Sequence, residues 1–478
     1  MTGPTGIRVV VKRPHYGRRM GVTNRQRRAA KAKQRAKERA RRSGGGGWHG
    51  PGCRCGERAH EPLFALRERV GMLIDMAAAA ARRGDEDDLA RIVDRLATAP
   101  VELVDVEAEG ALIWLLAVLW DNGWQPAEVI RHATRTDVRA GRVAAAAVAA
   151  DHTRRDPATL HPRWAAQAKA VAPPEVSGSN GWLTAFGVGE GLDRTATVRA
   201  AVTALGVLGA VGALPTLIPP PGSTAPASSP NAVVDDPALV KVRALLAQAE
   251  STTFDAEAAA FTAKAQELMA RHAIDAAVLW ASSDRDERPT TIRLPIDDPY
   301  ADIKALLLHQ VALRSRCRAV RHVLYGLVSV VGFASDVAAA ELLFTSLLVQ
   351  SQAALQAEGA KAGPGAHARS RSFRSSFLMS YTRRVDQRLA EINAAVEGGA
   401  ADDHGSLLPV LAARDDAVDD AVAEMFGELR PDVVRGGSDV AGWVRGKLAA
   451  DLARLSFADL DATDDGSEAN QPALALGM

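Results

Sequence analysis

Between Asp236 and Trp280 the chain reads DPALVKVRALLAQAESTTFDAEAAAFTAKAQELMARHAIDAAVLW, which fits two amphipathic helices joined by a five-residue turn. Asp236 followed by Pro237 suits an N-cap and first helical position, because proline gives up an N–H that has no partner there. Leu239, Val242, Leu246 and Ala249 recur at spacings of 3, 4 and 3 and fall on one stripe. Lys241, Arg243, Gln248 and Glu250 fall away from it. Turn chemistry follows over Ser251–Asp255, with Thr253 or Asp255 as N-cap. The second helix places Ala258, Phe261, Ala265, Leu268 and His272 inward. No glycine ends it at Ala273, and Asp275 is placed to cap a third short helix.

Punctuation divides the rest of the chain. Residues 1–59 read as a basic disordered arm with a Gly-rich linker. Met20 looks like a natural start, so residues 1–19 read as an over-extended gene model. Residues 60–217 read as a helical domain, with helices over EPLFALRERVGMLIDMAAAAARRG and DEDDLARIVDRLA and a new helix opening at Pro126. A DNA-reading helix–turn–helix would give this pattern, and so would any helical bundle. A Pro/Ser-rich linker over 218–235 is the clearest boundary. The hairpin takes 236–282, an α+β domain 283–462, and a disordered tail 463–478. Within the α+β domain, Thr290–Pro295 predicts a short strand, and Arg318–Leu324 and Leu327–Phe333 predict a β-hairpin about Tyr325-Gly326. The helix starting at Ser372 has Phe373, Phe377, Tyr381, Val385 and Leu389 as its inner face. The fold class is therefore mostly α: a helical N-terminal domain, a helical hairpin, and a small antiparallel β-hairpin covered by helices.

The hairpin resembles the bacterial and phage family catalogued as domain of unknown function 2786. The region after it resembles that family's usual companion, through Cys317-Arg-Ala-Val, Val330-Val-Gly-Phe-Ala-Ser-Asp-Val-Ala-Ala-Ala-Glu and Arg371-Ser-Phe-Arg-Ser-Ser-Phe-Leu-Met. Together the two resemblances cover roughly residues 236–455. They imply no activity and supply no catalytic residue.

Charge is the strongest functional signal. Residues 8–42 hold 15 Lys/Arg and one acid, Glu38, a net of +14, and the remainder carries a net of −13. Arg25, Arg27, Arg28, Lys31, Lys33 and Arg35 lie in an Ala-rich stretch with high helix propensity that like charges hold open. Phosphates would neutralise the stretch, so DNA or RNA bound through its backbone is the expected partner, with steep salt dependence. A solubilising tail is the competing reading. A second basic concentration holds Arg314, Arg316, Arg318, Arg321, Arg369, Arg371, Arg374, Arg383, Arg384 and Arg388. Of these, Arg318, Arg321, Arg371, Arg374, Arg383 and Arg384 are the candidate nucleic-acid contacts. Pairing with nearby acids stands beside that reading.

The remaining motifs favour bland readings. Three cysteines, at 53, 55 and 317, suit a reducing cytoplasm. Cys53 and Cys55, with His49 and His60 nearby, lack the usual C-x₂-C spacing, and Cys317 reads as a small core residue. Gly187-Val-Gly189-Glu-Gly191 has no strand before it and reads as a flexible loop. The apolar runs Ala200–Ile218 and Ala111–Trp120 read as a buried helix and as core, so no membrane is expected. Asp415, Asp416, Asp419, Asp420 and Glu424, near Asp402, Asp403 and His404, could ligate Mg²⁺ or Mn²⁺, but a solvated acidic face is commoner. His272 reads as a packing residue. No catalytic residue, metal or cofactor is assigned. The leading expectation is a non-enzymatic nucleic-acid-associated or adaptor protein with an unidentified protein partner. The alternatives are a metal-dependent enzyme acting on nucleic acid and a protein–protein scaffold.

Overall fold

The structure is a computed structural model describing residues 7–11, 63–171, 181–223, 240–242, 244–245, 264, 267–269, 271–277, 287–361, 367–403 and 407–453. It is mostly α, with two compact units: Pro14–Thr224, and Met1–Arg13 together with Ala225–Met478.

The first unit is a helical bundle. Its helices are α1 (Leu63–Arg83), α2 (Glu86–Ala97), α3 (Val101–Asp121), α4 (Pro126–Thr136), α5 (Val138–Thr153), α6 (Pro162–Val171), α7 (Trp182–Gly189) and α8 (Arg194–Leu208). Side-chain caps set several boundaries: Asp85 accepts from Asp88 N, Asp137 from Ala140 N and Asp193 from Ala196 N. Pro126 opens α4 behind a Gln125/Glu128 capping box, as its position predicts. The Ala200–Ile218 run is a mostly buried helix only as far as Leu208, and beyond it Ala210, Gly212, Ala213 and Thr216 are exposed. Beyond it Leu214 N donates to Asn122 O and Trp124 Nε1 to Gly212 O, which ties this extended stretch to the α3–α4 turn.

Gly187 and Gly189 are not in a loop. They form the last turn of α7, where Gly187 leaves room for Thr197, and Gly191 supplies the positive φ that ends the turn. Two acids of α3 are buried and partnered. Glu109 accepts from Gly181 N and Leu183 N at the start of α7, and Asp105 accepts from Thr184 Oγ1 and Arg194 Nη1.

The second unit is built on a five-stranded sheet. Its strands are β1 (Ile7–Val11), β2 (Thr290–Pro295), β3 (Arg318–His322), β4 (Leu327–Gly332) and β5 (Arg430–Val434), in the order β2-β4-β3-β1-β5. The expected antiparallel part, β2-β4-β3, is present, and β2 has its predicted bounds. β1 corrects the expectation of an unstructured arm over 1–59, because it pairs parallel with β3 and antiparallel with β5. Its four β-branched residues, Ile7, Val9, Val10 and Val11, suit a strand, and the surrounding basic charge masks that signal.

Helices α9 (Ala301–Arg314), α10 (Ala334–Lys361) and α11 (Arg371–Asp403) pack against one face of the sheet, through Leu307, Val311, Val330, Leu343, Tyr381 and Leu389. Helix α12 (Leu407–Phe426) packs Val418 and Phe426 against Val320 and Val331 from the other face. β4 is consequently buried along its whole length and reads as a near-continuous apolar run. The predicted inner face of α11 is buried at all five positions.

Helix α13 (Val440–Leu452) packs along α11 with Gly442 and Gly446 against the carbonyls of Phe373 and Phe377. In the same contact Ser375 and Ser376 accept from Gly437 N and Asp439 N. The Arg371–Met379 motif thus builds this joint. Among the described residues α10 alone is long and apolar enough to cross a membrane, and its inner positions lie in the core described above.

Candidate functional site

A cluster of charged side chains in the second unit lies beside the described part of the Asp236–Trp280 segment. Much of that hairpin lies outside the described residues. Its described parts are helical, and they bury Val242 and Met269 in the main core and Ile274 and Ala277 against Leu411. Asp336, in the first turn of α10, takes a hydrogen bond from Arg414 of α12 at 3.1 Å. Both residues are buried, at 4% and 2% exposure, and the guanidinium lies 3.8 Å over the Phe333 ring. Arg414 Nη1 has no hydrogen-bond partner among the described residues. Burial raises the Asp336 carboxyl to about 6, against the opposing fields of Arg414, Arg316 and His272.

Arg316, which lines a pocket with Asp336, holds a positive φ of 55° between α9 and β3, a strained conformation for an arginine. It is fixed there by Glu397 at 2.5 Å and Asp415 at 2.8 Å. Burial also raises the Asp415 carboxyl, with Arg316 and Arg318 opposing. The adjoining pocket is lined by Met269, Ala273 and Ile274 of the hairpin and by Arg316, Asp336 and Glu397 of the sheet domain. Its volume of about 30 Å³ has room for one or two waters and excludes a nucleotide. The hairpin's second helix meets this cluster through Met269, Ala273 and Ile274, while the cluster's charges neutralise one another.

The predicted contacts divide sharply. Arg25, Arg27, Arg28, Lys31, Lys33 and Arg35 lie outside the described residues, as do His49, Cys53, Cys55, His60 and His404. The C-terminal arginines do not gather into one open patch. Arg318 is bidentate to Asp419 at 2.7 and 3.0 Å, Arg321 pairs with Asp302, and Arg384 pairs with Asp451 and Glu391. Arg383 stacks 5.3 Å from the Trp443 ring centroid. Arg314 reaches Asp386 at 2.7 Å, and Arg369 reaches the Gly359 carbonyl. Arg388 caps the end of α13 through the carbonyls of Ala450, Asp451 and Ala453. Arg371 is exposed and Arg374 half-buried, and neither has an ion-pair partner among the described residues.

The acids are dispersed as well. Asp415 and Asp419 serve the arginines, whereas Asp416, Asp420 and Glu424 are exposed. Among the described residues no three His, Cys, Asp or Glu side chains are placed to hold a metal ion. Cys317 is a buried free thiol packed beside Gly332, and burial raises its pKa well above the ordinary value.

Asp336 and Arg414 are absent from the sequence-predicted site. Asp336 looks like an ordinary helix-start residue. Arg414 carries a readable signal, because Leu411, Arg414 and Val418 fall on one helical stripe and place an arginine on a buried face. No curated protein and no solved structure matches the chain. Residues 238–276 match the model of the family described as "Protein of unknown function (DUF2786)", so the segment lining this charged cluster carries that family's signature.

Proposed function

We propose that this chain is a non-enzymatic, cytoplasmic, nucleic-acid-associated or adaptor protein. In this reading the basic segment around Arg25–Arg35 makes the attachment to DNA or RNA phosphates. The observation that carries the reading is the segregation of charge, +14 over residues 8–42 against −13 elsewhere. The pairing of Arg314, Arg316, Arg318, Arg321 and Arg384 with acids of their own unit supports assigning attachment to the segment alone. Contacts of this kind are made to the backbone, displace counterions and weaken as salt rises.

The test is fluorescence anisotropy of labelled DNA and RNA with the full chain across a salt series. A variant with Arg25, Arg27, Arg28, Lys31, Lys33 and Arg35 replaced by Gln should lose roughly five units of log–log salt slope on DNA. Unchanged affinity and slope in that variant would refute the assignment.

A protein–protein scaffold is the second reading, favoured by the same internal pairing of the arginines and by the net charge of −13 outside residues 8–42. A metal-dependent enzyme draws less support, because the Asp415–Glu424 acids divide between arginine partners and an exposed helix face.

A further inference from the structure

On α13 the usual order of side-chain sizes is reversed. The face that packs on α11 is built of small residues, Gly442, Gly446 and Ala450. Val440, Val444, Leu448 and Leu452 recur every four residues on the opposite face, and they are 77, 51, 48 and 62% exposed. A surface helix ordinarily turns its large aliphatics inward, so this stripe has the composition of a buried face. Cations flank it. Lys447 is exposed with no ion-pair partner among the described residues, and Arg445 is 58% exposed beside a 3.5 Å contact with Glu358.

We infer that the stripe is the seat of the chain's own next segment, residues 454–465, RLSFADLDATDD. Three observations select this occupant. The first is position. Helix α13 stops at Leu452, Ala453 is extended, and Arg388 holds the carbonyls of Ala450, Asp451 and Ala453. The segment therefore starts from a fixed point at the end of the stripe. The second is reach. From Leu452 back to Val440 the stripe is about 18 Å long at 1.5 Å per residue. The apolar residues Leu455, Phe457 and Leu460 follow within eight residues of Leu452, and that much extended chain spans about 26 Å. The third is charge. The segment sets Arg454 against Asp459, Asp461, Asp464 and Asp465, a net of −3 that complements Lys447 and Arg445. Phe457 is the anchor, seated between Leu448 and Leu452, and the acids beyond it run past the two cations. Tethering raises the local concentration to the order of 1 mM, so an intrinsic dissociation constant of about 0.1 mM keeps the segment seated roughly nine-tenths of the time.

Native-state proteolysis of the full chain by chymotrypsin, followed by intact-mass spectrometry, tests the inference at the bond after Phe457. A seated bond must leave the stripe before it is cut, so the rate reports the unseated fraction. The wild type should be cut about tenfold more slowly than the same bond in a synthetic peptide of residues 450–470, the factor that occupancy sets. Leu448→Asp should be cut at the peptide's rate, because it puts a charge of the segment's own sign on the seat. Lys447→Glu should fall between the two. Both changes lie on the outer face of α13, and unchanged far-UV circular dichroism confirms that the variants are folded. A wild type cut as fast as the peptide overturns the inference, and so does slow cutting retained in folded Leu448→Asp. Protection that rises with protein concentration overturns it as well, because a second copy would then be covering the stripe.

Discussion

In the sheet-bearing unit, Arg314, Arg316, Arg318, Arg321, Arg384, Arg388 and Arg414 end on carboxylates or helix-end carbonyls of that unit. In the helical unit, Trp114 and Met72 of the α1–α3 face stay more than half exposed. The sheet-bearing unit thus turns its charge inward, while the helical unit leaves apolar surface outward. Charge density along a chain does not by itself measure the charge available to a partner. Nor does an apolar run measure what a domain has buried. What decides both is which side chains the topology brings within reach, and only the fold contains that information.

The largest expected effect tests whether the inward charge holds the sheet unit together. Arg414→Ala strands the Asp336 carboxylate in the core and should cost about 3–5 kcal/mol in urea unfolding, as broken buried pairs do. A cost near that of a surface pair would break the comparison. The same site predicts a pH dependence. The folded carboxyl titrates at about 6, above its ordinary 3.8, so the folded state keeps a proton that the unfolded chain has released. Its stabilising contribution is full below the ordinary value and is lost as pH rises through about 6. Asp336→Asn should flatten that limb of the stability profile.

Next in size is the strand formed ahead of the basic segment. Starting the chain at Met20 removes β1, which is the strand partner of β5 among the described residues. At about 1 kcal/mol net for each backbone hydrogen bond lost, the urea midpoint of the sheet unit should fall clearly. An unchanged midpoint would return residues 7–11 to the arm. Gly446→Ala should cost about 1–3 kcal/mol by overpacking, since its new methyl would meet the Phe377 carbonyl and push α13 off α11. The smallest effect belongs to Arg318→Gln. Asp419 is 56% exposed, so losing this pair should cost under about 1 kcal/mol in thermal unfolding.

Local signals made much of this fold legible. Pro126 marks the start of α4, the Tyr325-Gly326 turn marks the start of β4, and spacing marks Phe373 through Leu389 as the buried face of α11. What local signals left unread shares a cause, which is partners distant in sequence. Ile7–Val11 becomes a strand by pairing more than 300 residues away. Arg318 and Asp419 are 101 positions apart, and Asp336 and Arg414 are 78 apart. Trp114 reads as core because apolar periodicity reports what a face prefers, not whether the same chain covers it.

The proposed function places nucleic-acid affinity in the basic segment and not in the arginines of the sheet unit. Two full-chain variants compared by anisotropy on one labelled duplex test it most directly. One replaces Arg25, Arg27, Arg28, Lys31, Lys33 and Arg35 with Gln, and the other replaces Arg371, Arg374, Arg383 and Arg384. The first should lose most of the affinity and the salt slope while the second keeps both. Loss in the second with retention in the first would contradict it.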